Sequence, residues 1–239
     1  MESFASGVNL YKLIWIYAIG SVLGYLVEMG WCYLRHGYFE SRKGVIYGPI
    51  SPVYGFGAVV MTLSLYWIAS INGLYIFLIS AVIGGLFEYI CSFVQEKVLG
   101  TVSWEYSHTP LNLHGRTNLA FSICWGFLGF VFIRHTFPTV SQWIEWIPNQ
   151  IGIPLTWAIV IFFVFDLLVS ALAIRRQVSR CNHRPARTFI ARFLDRHYPD
   201  ERLRKIFPNM ILDKTAAVKL NKLKKLRLIQ FRKEKENGS

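Results

Sequence analysis

The chain has 239 residues, of which 53% are hydrophobic and only 17% charged, with 26 Lys and Arg against 14 Asp and Glu for a net charge of +12. That is more apolar and less charged than an ordinary soluble domain. A chain of this length cannot bury several helices that are apolar all round, so the composition excludes a water-soluble globule and leaves an all-α polytopic membrane helix bundle.

About five stretches are predicted to cross a hydrocarbon core of ~30 Å, which takes roughly 20 helical residues. The first, about 11–34, carries Glu28. It lacks a basic leading region and a small-residue cleavage site, and so reads as a retained span rather than a signal peptide. The following loop, "FESRKGVIYGPISPVYGFG", holds Arg42, Lys43 and Tyr47 among glycines and two prolines. Pro49 and Pro52 oppose regular helix, and irregular backbone at membrane depth needs cover from protein or water, so this loop is expected to fold back toward the bundle. The second and third spans are expected at about 51–69 and 73–94, and the third carries Glu88. The next loop, "LGTVSWEYSHTPLNLHGRTN", contributes Tyr106, Asn112, His114 and Arg116 and is too polar for lipid. A short fourth span at about 117–134 leads to an expected outer loop over 134–153, whose Trp143 and Trp146, with nearby Trp157, read as an interfacial aromatic belt. The fifth span, about 154–174, carries Asp166.

Basic residues set the orientation. Arg35, Arg42, Lys43, Lys97 and Arg116 flank the first and second loops, and 19 of the 26 Lys and Arg follow residue 174, whereas Arg134 alone stands in the opposite loops. The positive-inside rule places the N-terminus outside and the C-terminus inside.

The chain also resembles itself. "IGSVLGYLVEMGWCYL" from Ile19 and "ISAVIGGLFEYICSFV" from Ile79 align without a gap and superpose Glu28 on Glu88. A tandem two-helix repeat follows, with units about 10–70 and 71–135 inside a duplicated core 1–135. Residues 136–176 then form an interfacial loop and the fifth span, and 177–239 a basic cytoplasmic tail. The tail segments "RTFIARFLDRHYPDERLRKIF" and "AAVKLNKLKKLRLIQFRK" mix apolar and basic residues at helical spacing, which suits an anionic leaflet or a docking partner.

A charged side chain near mid-bilayer costs roughly 2.5–3.5 kcal/mol on the lenient insertion scale, so Glu28, Glu88 and Asp166 are expected to face the bundle interior, a cavity or a cation. They are read either as ligand-lining groups or as interhelical packing devices. Arg42 and Arg116 offer planar donor forks for phosphate or carboxylate, or serve only as positive-inside residues. No G-x-x-x-x-G-K-[ST] loop, G-x-S-x-G elbow or H-E-x-x-H pair is present, so ATP-driven work requires a separate ATPase subunit and no catalytic residue is assigned. The four cysteines show no C-x-x-C spacing, and neither a metal site nor a cofactor is assigned.

The segment "RKGVIYGPISPVYGFG", then "WEYS", "NLHG" and the Trp125–Gly126 pair, resembles the CmpB-like ABC-transporter type IV membrane family over about residues 10–135. The positions that carry the likeness are Glu28, Arg42, Gly44, Tyr47, Gly48, Pro49, Tyr54, Gly55, Glu88, Trp104, Tyr106, Asn112, Gly115 and Trp125. The resemblance implies a permease-like membrane protein; the duplicated buried acids point to a site that binds or moves a small polar or lipid-like ligand, and a bacterial cytoplasmic membrane is the expected location. Glu28, Glu88, Arg42, Tyr47, Tyr106, Asn112, His114, Arg116 and Asp166 are the candidate ligand-binding residues. Membrane lipids, an ATPase subunit and a second copy of the chain are the candidate partners, with nucleic acid disfavoured. An intramembrane enzyme acting on lipid headgroups and a scaffold recruiting a partner through the tail are the alternatives.

Overall fold

A computed structural model of the chain describes residues 2–212, and the tail segment "AAVKLNKLKKLRLIQFRK" lies outside the described residues. The protein is an α-helical membrane bundle. Four helices are long and apolar enough to cross a bilayer: α1 (Leu10–His36), α3 (Gly73–Leu99), the continuous run Leu119–Glu145, and α6 (Asn149–Cys181). Only 22–28% of each apolar window is buried, which leaves wide apolar faces for lipid.

Local chemistry sets the helix ends. Asn9 caps α1 by accepting from the Lys12 N–H at 2.9 Å, and Gly37 closes it in a left-handed conformation at φ 77°. Asn72 and Gly100, the latter at φ 73°, do the same for α3. Pro154 stands in the second turn of α6 and removes one intrahelical N–H donor there.

The second predicted span is short, and the fourth differs from expectation. The helix α2 (Pro52–Leu65), extended by a 3₁₀ turn to Ile68, has 14 + 3 = 17 residues and rises only ~25 Å. Its bounds match the expected 51–69 to within a residue, but it is shorter than the four long apolar helices. In the fourth, α4 (Leu119–Val131) passes through a π turn, Phe132–Thr136, into α5 (Phe137–Glu145). Much of the expected outer loop 134–153 is therefore helix, because α4 alone is too short to span. Arg134 sits in the π turn and donates to the Ile71 carbonyl. Trp143, Trp146 and Trp157 remain exposed, as interfacial rings are.

α1 packs chiefly on α2, and α3 on α4. Both contacts rest on absent side chains. A β-carbon on Gly24 would overlap Tyr54 of α2, and one on Gly84 would overlap Trp125 of α4, so only glycine permits these helices to approach so closely. Without a hydrophobic driving force between helices in lipid, such contact is a main source of association. Around it gathers a core that includes Ile16, Met61, Leu65, Ile76, Trp125 and Ile133.

The loops 37–51 and 100–118 and the end of α6 share one end of the bundle. There α7 (Phe189–His197) and α8 (Asp200–Ile206) fold back on α6, burying Leu194, Tyr198, Leu203 and Phe207 against Ile46, Ala173 and Ile174. A backbone bridge between Val102 and Ile211, 3.1 and 2.8 Å, ties this cap to the second loop. At the other end Lys12, 2% exposed, is paired with Glu145 and donates to Ser141 at 2.7 Å.

Candidate functional site

The first loop folds back as its glycines and prolines require, and Asp166 receives it. The Asp166 carboxylate is fully buried near the middle of α6 and accepts from the N–H groups of Ile46 (3.1 Å), Tyr47 (3.1 and 3.2 Å) and Gly48 (2.8 Å). Ser170, one turn on, donates to the same carboxylate at 3.2 Å and accepts from Ile46 N–H at 2.9 Å. Further bonds run from Gly44 N–H to the Ile50 carbonyl and from Ser51 N–H to the Ser21 carbonyl, both 2.9 Å. Consecutive peptide N–H groups form a concave anion-binding surface, and here the anion is internal. The polar backbone of the loop is thereby satisfied away from water. Tyr47 continues the tie, its hydroxyl 2.5 Å from that of Tyr198 between α7 and α8. Burial, followed by the Tyr47 hydroxyl, pushes the Tyr198 phenol up to about 12.

The two glutamates each meet a tyrosine. Glu88, 6% exposed, accepts from the Tyr106 hydroxyl at 3.2 Å through one oxygen and from the Thr117 hydroxyl at 2.8 Å through the other. Glu28 is half-buried, lies beside Tyr54 and is in the field of Arg42. Tyr54 is within electrostatic reach of Glu88 as well as Glu28, and Tyr106 of Glu28, Glu88 and Tyr54. Two acids sixty residues apart in sequence thus belong to one polar cluster. Burial first, and then the Glu88 carboxylate, push the Tyr106 phenol up, so this hydroxyl stays protonated and remains a donor. Tyr106 is held by stacking on Phe121, with ring centroids 4.7 Å apart.

The second loop is built to hold Tyr106. Tyr106 N–H donates to the Gly115 carbonyl at 2.8 Å, and the Asn112 side chain accepts from Gly115 N–H at 2.9 Å while donating to the Thr109 carbonyl at 2.7 Å. Asn112–Leu113 and Thr117–Asn118 pair as short antiparallel strands, β1 and β2. The turn between them runs through His114 and Gly115 at φ 53° and 69°. Gly115 is required twice, by its left-handed backbone and because a β-carbon there would meet the Glu105 carboxylate. Trp104 donates to the Arg116 carbonyl at 2.8 Å, and Asn118 caps α4.

Of the predicted residues, Glu28, Glu88 and Tyr106 converge, with Arg42 at the margin. Asp166 and Tyr47 belong to the loop anchor. Asn112 shapes the second loop, and His114 is exposed with its Nδ1 3.1 Å from the Tyr89 hydroxyl. Arg116 is 8% exposed and faces Glu96 at 2.8 Å, between the rings of Tyr89 and Phe93. Arg42 pairs with Glu40 at 3.1 Å and donates to the Cys32 sulfur at 3.6 Å. Sequence reasoning left Tyr54 and Thr117 out of the site. The signal for Tyr54 was present, since it lies among the loop positions that carry the family likeness. Thr117 had none, because its role depends on the hairpin that turns it toward Glu88. Among the described residues no three His, Cys, Asp or Glu side chains gather as metal ligands.

Comparison with known proteins gives one family. A family model described as Putative ABC-transporter type IV matches residues 15–171. No curated protein and no solved structure matches the chain. The match runs beyond the 10–135 limit of the sequence likeness and takes in α6 as far as Ala171, which brings Asp166 and its loop anchor into the shared region. With more than half of its length matched, the chain belongs to the ABC-transporter type IV membrane family.

Proposed function

We propose that the protein is the membrane component of a permease and that Glu28, Tyr54, Glu88 and Tyr106 form its binding site for a small polar ligand bearing a cationic or hydrogen-bond-donating group. The single observation that carries this reading is the convergence of the two acid–tyrosine pairs from separate hairpins into one cluster. A desolvated carboxylate is stable when a ligand cation or a donor answers it, and the two tyrosines orient the acids for that task. The hairpins α1–α2 and α3–α4 are copies of one unit, and α6 with its loop anchor is the frame against which they stand. With the N-terminus outside, the site opens toward the inner leaflet of a bacterial cytoplasmic membrane. Energy comes from a separate ATPase subunit, since the chain has no phosphate loop.

The lipid-headgroup enzyme reading needs Arg42 and Arg116 for phosphate. Both already face carboxylates, Glu40 and Glu96, which favours the permease. The test is native mass spectrometry of the full chain purified gently from its own membrane, wild type beside Glu28→Gln/Glu88→Gln. The expected result is a co-purifying small molecule and a stoichiometric ATPase with the wild type, and loss of the small molecule alone with a variant of unchanged melting temperature. A double variant that keeps the small molecule overturns the assignment of the site.

A further inference from the structure

The arginines paired at the end of α6 differ from those of the segment that follows it. Arg176 and Arg180 are consumed internally: Arg176 grips Asp195 with two bonds of 2.8 Å, and Arg180 reaches Asp195 and Asp200 at 2.6 Å each. These bonds, with the buried Leu194 and Tyr198, fix which side of α7 faces the bundle. Arg187, Arg192 and Arg196 are exposed and have no acidic partner among the described residues.

The outward side of α7 is apolar. Phe189, Ile190 and Phe193 are 77%, 59% and 45% exposed, an unusual display for a helix so firmly seated on its other side. At 100° per residue Phe189, Phe193 and Ile190 occupy one arc of about 100°, and Arg192 and Arg196 flank its edge. His197 stacks on Phe193 with centroids 4.1 Å apart and completes the arc. Thr188 caps the helix by accepting from Ala191 N–H at 3.1 Å, so this face is preformed. Only residues 182–188 separate α7 from a membrane-crossing helix, which keeps it close to the interface. An apolar stripe edged by arginine matches the layering of acyl chains beneath anionic headgroups.

We propose that α7 is a membrane-surface helix that seats Phe189, Ile190 and Phe193 among the acyl chains of an anionic leaflet and sets Arg187, Arg192 and Arg196 on headgroup phosphates. The cap α7–α8 touches the first loop through the Tyr198–Tyr47 hydroxyl pair, so lipid seating also steadies that loop.

Photo-crosslinking of the full chain in nanodiscs tests the proposal. p-Benzoylphenylalanine, which keeps the phenyl ring and extends it outward, replaces the exposed Phe193, and the discs hold phosphatidylcholine with a minority of phosphatidylglycerol. Leu168, exposed on α6, takes the same photoprobe as a lipid-facing control. Mass spectrometry is expected to find acyl-chain adducts at 193, with phosphatidylglycerol above its share of the disc. In Arg187→Gln/Arg192→Gln/Arg196→Gln that excess should fall to the bulk share while the adducts at 168 stay unchanged. Adducts from 193 to protein, or none where 168 gives lipid adducts, overturn the proposal. An excess that survives the triple substitution overturns the headgroup role of the arginines.

Discussion

Replacing Asp166 by Ala removes the acceptor on which the first loop is hung. The N–H groups of Tyr47 and Gly48 lose their partner, whereas Ile46 N–H keeps the Ser170 hydroxyl at 2.9 Å. Two orphaned N–H groups at ~1–3 kcal/mol each give a loss of ~2–6 kcal/mol. Asp166→Asn retains one oxygen and should lose about half as much. Thermal unfolding of the full chain in detergent reads the global effect, and hydrogen exchange of amides 46–48 reads the local one. For Asp166→Ala we expect a melting temperature lower by at least ~5 °C and rapid exchange at amides 47 and 48, with amide 46 slower because Ser170 still accepts from it and with Asp166→Asn between that variant and the parent. An Asp166→Ala chain that melts within ~2 °C of the parent and keeps amides 46–48 protected would refute the anchor.

Gly24→Ala and Gly84→Ala each insert a β-carbon against the Tyr54 or Trp125 side chain, and each should destabilise by ~1–3 kcal/mol. Lowered melting temperatures check this, and normal stability in both would mean that helix contact there is loose. Arg176 first, and then Arg180, hold the Asp195 carboxyl below its ordinary value. A depressed acid contributes stability that is fully present above its unfolded pKa and lost as pH falls through the folded one. Limited proteolysis of the 182–188 link should therefore be constant from about pH 8 to 5 and accelerate only below the ordinary carboxylate range near 4. Asp195→Asn should be cleaved quickly throughout, and equal cleavage of variant and parent would count against the clamp.

Much of the architecture could be read from local signals. Apolar runs around Glu28, Glu88 and Asp166 marked membrane helices, and the glycines and prolines of 44–57 marked a segment unable to continue as helix. The fourth span was harder, because its apolar run weakens at Arg134 and His135. The helix passes these residues through a π turn that leaves Arg134 bonded to a loop carbonyl, a partner sixty-three residues away in sequence.

The three acids show where sequence stops. Each is costly in a bilayer, and that follows from residue type and hydrophobic length alone. What answers each acid depends on groups distant in the chain. Asp166 receives peptide N–H groups, which carry no residue identity and so leave no mark in a sequence. Glu88 receives Tyr106 and Thr117, brought to it by the hairpin that turns at His114 and Gly115. Arg116, an apparent partner for the acids, is drawn instead to Glu96. Burial cost is a local property of side chain and span, whereas its compensation is a property of the packed bundle; the sequence therefore located the acids, and only the tertiary structure separated the loop anchor from the candidate site.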